Sequence, residues 1–180
     1  MMGKISIYCI LLSLVLLLFN CNRDRSCDDD LSLQQSDYTG SDLKLNGYFF
    51  KYDSINDNFK EIYFLYQNGV VLSSQLDGFD ASNPDNIDVE FFNQALKSKA
   101  AYGLFEVSGD IIQIERWYPS LRGCFRTIYE TGRIVNDTTF KITRLEYRKN
   151  GSVKSVEQPD YIIHFRPLPE KPDSTNEYIQ

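Results

Sequence analysis

Between residues 47 and 166 the chain runs in short apolar or alternating segments, separated by pairs of turn-forming residues. Residues 61–67 (EIYFLYQ) and 70–75 (VVLSSQ) flank Asn68-Gly69, a preferred pair for a type I′ hairpin turn, in which both central residues take positive φ. Residues 102–107 and 110–118 flank Ser108-Gly109, and residues 138–149 and 152–157 flank Asn150-Gly151. Residues 47–52 (GYFFKY), 125–130, 133–135 and 160–166 (DYIIHFR) complete the set, with Thr131-Gly132 expected to end one strand before the next begins. Strands joined by such short turns pair antiparallel, and this many can close on themselves to hide their edges. The pattern predicts a mainly β fold: an antiparallel up-and-down barrel or curled sheet of about eight strands.

One segment departs from it. Residues 88–96 place Phe92, Ala95 and Leu96 on one helical face, with Asp88 at the capping position and Lys97 and Lys99 at the C-terminal dipole end. One short helix is therefore expected to cover an open end or edge. Residues 21–43 are rich in Asp, Ser, Gln and Arg and read as a flexible tether. Residues 167–180, with Pro167, Pro169 and Pro172 among polar residues, read as an extended, disordered tail. That leaves residues 44–166 as the β-rich domain.

Hydrophobicity is otherwise concentrated at the start. Residues 5–19 (ISIYCILLSLVLLLF) carry no charge and follow Lys4. As a helix they span about 22 Å, short of the ~30 Å hydrocarbon core, which suits a cleaved signal peptide (residues 1–20) better than a membrane span. Immediately behind come Leu18-Phe19-Asn20-Cys21. Here the chain resembles a bacterial lipoprotein precursor, in which a leucine three places before a cysteine directs lipid to the thiol. Phe19 and Asn20 depart from the small residues usual there. The resemblance implies that Cys21 becomes the first mature residue, bearing a diacylglyceryl thioether and an acylated amine. Several acyl chains hold a protein at a bilayer essentially permanently. Asn22, rather than Asp, implies the outer membrane of the cell envelope by analogy with that family. In its succession of hairpins the remainder is similar to lipocalin-like barrels and to small β-rich envelope lipoproteins, from which no activity follows.

With Cys9 in the leader and Cys21 lipidated, Cys27 and Cys124 remain. An exported protein meets an oxidising compartment, so the two form one disulfide or stay as unpaired thiols. Asp28-Asp29-Asp30 lacks the spaced ligands and glycine of a calcium loop and reads as a solvated acidic run. The whole chain carries 19 basic against 25 acidic side chains, a net charge of −6, which argues against a nucleic-acid partner.

Catalytic signatures are missing from the sequence: no G-x-S-x-G, G-x-x-x-x-G-K, H-E-x-x-H or C-x-x-C occurs. No cofactor, metal or enzyme activity is expected. His164, the single histidine, shares a strand face with Ile162 and Arg166 by alternation and reads as a strand residue. Glu115, Glu130 and Glu146 lie on strands, where paired carboxylates would serve a glycoside hydrolase and outward-facing ones would simply meet water. The most unusual cluster is Arg116, Trp117 and Tyr118 with Arg126. It forms either a ligand patch, in which aromatic rings stack on a sugar and arginine forks bind its oxygens, or a structural cluster in which Trp117 fills the barrel end and the arginines pair with acids. The leading expectation is a membrane-anchored envelope lipoprotein whose barrel binds a small apolar or glycan ligand. The alternative is an assembly module contacting another envelope protein. A hydrolase ranks third.

Overall fold

The computed structural model describes residues 27–53, 58–75, 96–121 and 123–179. Strands β1 (Gly47–Asp53), β2 (Asn58–Leu65), β3 (Val70–Gln75), β4 (Tyr102–Ser108), β5 (Ile111–Pro119), β6 (Phe125–Asn136) and β7 (Thr139–Lys149) pair antiparallel in chain order. β9 (Tyr161–Pro167) pairs with both β7 and β1 and closes an eight-stranded barrel. β8 (Ser152–Glu157) pairs with β7 alone and stands outside the closed ring. Leu145 opposes Glu157 and Ile142 opposes Tyr161, so β8 and β9 are successive pieces of one broken strand along a single edge of β7. Only β9 returns to the barrel wall; all six residues of β8 are exposed. The wall is therefore breached beside β8.

Side chains divide by strand alternation. Phe49, Tyr63, Leu65, Val71, Phe105, Ile112, Ile114, Phe140 and Ile163 fill the interior. Thr131 opposes Arg144 while Gly132 opposes Ile142, which makes Thr143 an extra residue in β7. This bulge sends both Ile142 and Leu145, three apart, into the same core. It also lets β6 run on through Thr131-Gly132, where a strand end was expected, so that two short strands become one of twelve residues.

Asn150 and Gly151 both take positive φ (52° and 70°), as a type I′ hairpin requires. The Asn68-Gly69 turn differs. Only Gly69 has positive φ, and its N–H donates to the Tyr66 carbonyl, giving a type I turn closed by a glycine bulge.

The outer face of β1 to β5 carries a second core. Tyr48, Ile62, Phe64, Val70, Leu72, Tyr102, Leu104 and Trp117 are buried there, although they point away from the interior. The segments expected as tether and tail cover them, and from Cys27 on neither stands apart from the domain. Leu31 and Leu33 pack on this face from one side, and Leu168, Tyr178 and Ile179 from the other. Backbone polar groups of both segments are satisfied by the barrel: Tyr38 N–H donates to the Gln67 carbonyl, and Tyr66 Oη donates to the Pro172 carbonyl at 2.7 Å. Lys171 Nζ donates to the Leu45 and Leu65 carbonyls (2.7 and 2.8 Å) above the Tyr66 ring, and burial pushes its ammonium down to about 8. The physical reason is the apolar run Ile62–Tyr66, which fills the second half of β2 and the residue after it and leaves no polar face there to meet water.

The helix expected over residues 88–96 lies outside the described residues up to residue 95. The described chain resumes at Leu96 and forms a 3-10 turn, Lys99–Ala101. Among the described residues no helix is long and apolar enough to cross a membrane.

Gly103 sets how closely β4 and β5 approach. A Cβ there would meet the Glu115 carbonyl oxygen at 2.2 Å and the Arg116 Cα at 2.8 Å, both backbone. Gly103→Ala is expected to lower stability by about 1–3 kcal/mol through overpacking. A urea midpoint equal to the wild type's would contradict that account.

Candidate ligand site at the open end of the barrel

β1 through β7 place the β1–β2, β3–β4, β5–β6 and β7–β8 connections at one end of the barrel, and the tight turns at Gly69, Gly109 and Asp137 at the other. The interior toward the tight-turn end is packed with Phe49, Phe105, Phe140 and Ile112. Toward the other end, inward positions become charged. Glu61 on β2, Arg116 on β5 and Glu130 on β6 all occupy inward places in the alternation, since Arg116 opposes Ile128 and Ile114 opposes Glu130.

Arg116 holds the group together. Its Nε and Nη2 donate to Glu130 Oε1 at 3.1 and 2.9 Å, and Nη2 also donates to Glu61 Oε1. Tyr63 Oη donates to the second Glu130 oxygen at 3.3 Å. Glu130 is 2% exposed. Burial raises its carboxyl above the ordinary range against the opposing pull of Arg116, and Glu61 pushes the same way as burial. Burial and then the Glu130 and Glu61 charges drive the Tyr63 phenol well above its usual value. For Arg116 burial works to lower the value, and the two carboxylates outweigh it and hold the guanidinium more firmly protonated. The arrangement is thus an arginine shared between two buried acids, with Nη1 donating to neither.

A cavity of about 270 Å³ opens onto this network through the breach beside β8. Tyr118, Tyr147 and Tyr161 form its aromatic wall, with Lys51 and Glu157 at its rim. Tyr118 and Tyr147 meet edge to face at 5.8 Å, and Lys51 Nζ sits 3.1 Å from the Tyr161 ring centroid. Three carboxylates against two cations leave the lining slightly acidic. It can accept hydrogen bonds from hydroxyl groups, offer them from Arg116, and stack a ring on tyrosine.

Of the residues singled out in the sequence, Arg116 and Tyr118 line this cavity. Strand alternation sends Trp117 to the opposite face, where it is 4% exposed and its indole N–H donates to the Asp29 carbonyl at 2.7 Å. A second, rim cavity of about 250 Å³ is lined by Arg116, Trp117 and Tyr118 together. Arg126 belongs to neither; its Nη1 donates to the Cys27 carbonyl and to Asp29 Oδ1, which ties down the incoming chain. Cys27 and Cys124 are joined in a disulfide with their Cα atoms 5.6 Å apart. Asp28 pairs with Lys99 and accepts from the Phe125 N–H, so the acidic run is partly built into the fold. Cys21 lies outside the described residues.

The three strand carboxylates do not converge. Glu130 faces inward, whereas Glu115 and Glu146 lie outside with Arg148, at 3.7 and 2.7 Å. Glu115 accepts from the Ser32 and Leu33 N–H groups (2.6 and 2.8 Å) and anchors the covering segment. Hydrogen bonds from Arg148 and Arg144 hold the Glu146 carboxyl below its usual value. His164 is exposed and lies 6.0 Å from the Phe50 ring. Glu61, Tyr63 and Tyr147 were not apparent from the sequence as site residues. Glu61 carried a usable signal, since 61, 63 and 65 are alternate positions of one strand and only the first is charged. Among the described residues no group of three or more His, Cys, Asp or Glu side chains is placed to hold a metal ion.

No family model, no curated protein and no solved structure matches the chain.

Proposed function

We propose that the protein is an envelope lipoprotein, anchored in the outer membrane through acylated Cys21, whose barrel binds a small glycan-type ligand in the cavity at its open end. The anchor reading is supported by the uncharged run of residues 5–19 ending at Leu18 and Cys21. The ligand reading is carried by one observation: a buried Arg116–Glu61–Glu130–Tyr63 network beside an aromatic-lined cavity. Buried ion pairs are weak contributors to stability compared with packed apolar residues, so their presence in a barrel otherwise filled by Phe, Ile and Leu favours a binding role. The filled far end disfavours a deep apolar calyx, and the polar lining suits hydroxyl groups better than an acyl chain.

Native mass spectrometry of protein released from its own membranes tests this. The expected result is a retained saccharide-mass adduct beyond the acyl groups, lost or weakened at least tenfold in Tyr147→Ala. A wild-type protein without such an adduct, or one held equally by the variant, would refute the ligand reading. A second reading is favoured by β8, an exposed strand paired along one edge only, which is a template for a partner's strand. On that reading, an envelope protein rather than a sugar co-purifies.

A further inference from the structure

The disulfide has a geometric consequence beyond holding the chain closed. It fastens Cys27 to Cys124, at the end of the short β5–β6 turn. Only five residues lie between Cys21 and Cys27, a reach of at most about 20 Å when fully extended. The β5–β6 turn is therefore held within a short distance of wherever Cys21 is fixed. Leu121 sits in this turn and is the most exposed of the large apolar residues among the described residues, its side chain touching essentially nothing of the barrel. The same end of the barrel also presents exposed Lys97, which lines a cavity with Asp28 and Phe125, and exposed Lys149 at the end of β7, which the Thr127–Arg148 register places next to the start of β6. An exposed leucine at an end that also presents Lys97 and Lys149 fits the boundary between phosphate headgroups and acyl chains.

From this we infer that the β5–β6 turn is a membrane-contacting surface, with Leu121 inserted in the headgroup layer and the barrel standing with its open end toward the bilayer. This rests on the reading of Cys21 as an acylated anchor. One leucine cannot recruit a protein to a membrane. It needs only to bias the orientation of a body already tethered there, and burying a leucine side chain biases such an equilibrium by roughly tenfold or more. The orientation brings the ligand cavity to the bilayer side, so that its ligand would be met at the membrane surface and not from the bulk.

The test uses the full acylated protein in vesicles of phosphatidylethanolamine and phosphatidylglycerol with brominated acyl chains, which quench tryptophan on contact. Leu121→Trp is compared with Val135→Trp, an exposed position near the β6–β7 turn at the far end. The native Trp117 is buried and supplies a constant background. The expected result is emission at 121 quenched at least threefold more strongly than at 135. Co-sedimentation with the vesicles is measured on the same samples, for the wild type and for Cys21→Ser. If the wild type sediments, the Cys21→Ser form does not, and position 121 is quenched no more than 135, the orientation is overturned while the anchor stands. If the wild type fails to sediment, the anchor falls and takes this inference with it.

Discussion

Replacing Arg116 by methionine is expected to cost about 3–5 kcal/mol of stability, because it uncovers two buried carboxylates at the barrel mouth. Glu61 and Glu130 both rely on its guanidinium, and removing it leaves two carboxylates in the interior with Tyr63 as the remaining donor to Glu130. Replacing all three charged groups together by methionine and leucine is expected to restore most of the loss, because the penalty comes from uncompensated charge and not from lost packing. Acidity supplies an independent signature. Burial already raises the Glu130 carboxyl, and loss of Arg116 removes the chief opposing influence. A carboxyl raised in the folded state binds a proton that the unfolded chain, titrating near 4.5, releases. Its stabilising contribution is thus complete below that value and disappears as pH rises through the folded value. The deficit of Arg116→Met is therefore expected to shrink between pH 7.5 and 5. Urea titrations of wild type and variant at both pH values decide the matter; a loss under 1 kcal/mol at pH 7.5, or one indifferent to acid, would mean that the network carries no buried charge.

The barrel was legible because its information is local. Alternating runs and Asn-Gly or Ser-Gly pairs determine where strands turn, and eight strands with tight connections leave little choice but closure. Where reading stopped short, the cause was long-range. Glu130 was visible as a strand acid, but its sharing of Arg116 with Glu61 depends on β2 and β6 meeting across the interior. Grouping Arg116, Trp117 and Tyr118 by proximity in sequence overlooked the period of two, which puts the indole on the outer face under Asp29. The flanking segments looked unstructured because their apolar residues, such as Leu31, Leu33, Tyr38 and Leu43, are widely spaced. The clue lay elsewhere, in the second half of β2 and the residue after it: Ile62, Tyr63, Phe64, Leu65 and Tyr66 are apolar on both faces, so something had to cover the outer one. In β6 the glycine expected to end the strand instead accommodates a bulge, because Lys141 O lies 2.7 Å from where its Cβ would stand.

Removing the disulfide, by Cys27→Ser together with Cys124→Ser, is expected to lower stability by about 4–5 kcal/mol. The two cysteines lie 97 residues apart, and a loop of that length recovers close to the largest chain entropy a single crosslink withholds from the unfolded state. The loss has a local component as well. The crosslink is the outermost tie on the covering segment, just ahead of Asp29, Ser32 and Leu33. When that segment lifts, the Trp117 indole loses the Asp29 carbonyl, and the Glu115 carboxylate, 1% exposed, loses its Ser32 and Leu33 donors. An acid left beneath a displaced strap draws water into the outer core, so detachment favours further opening of that face. Tryptophan emission therefore offers a direct readout, since Trp117 is the single tryptophan and lies beneath the strap. In reductant its maximum is expected to shift to the red at a lower urea concentration than the circular dichroism of the barrel changes, with both transitions earlier than in the oxidised protein. Coincident and unshifted transitions would show that the strap is held by its own contacts and that the crosslink contributes nothing to either core.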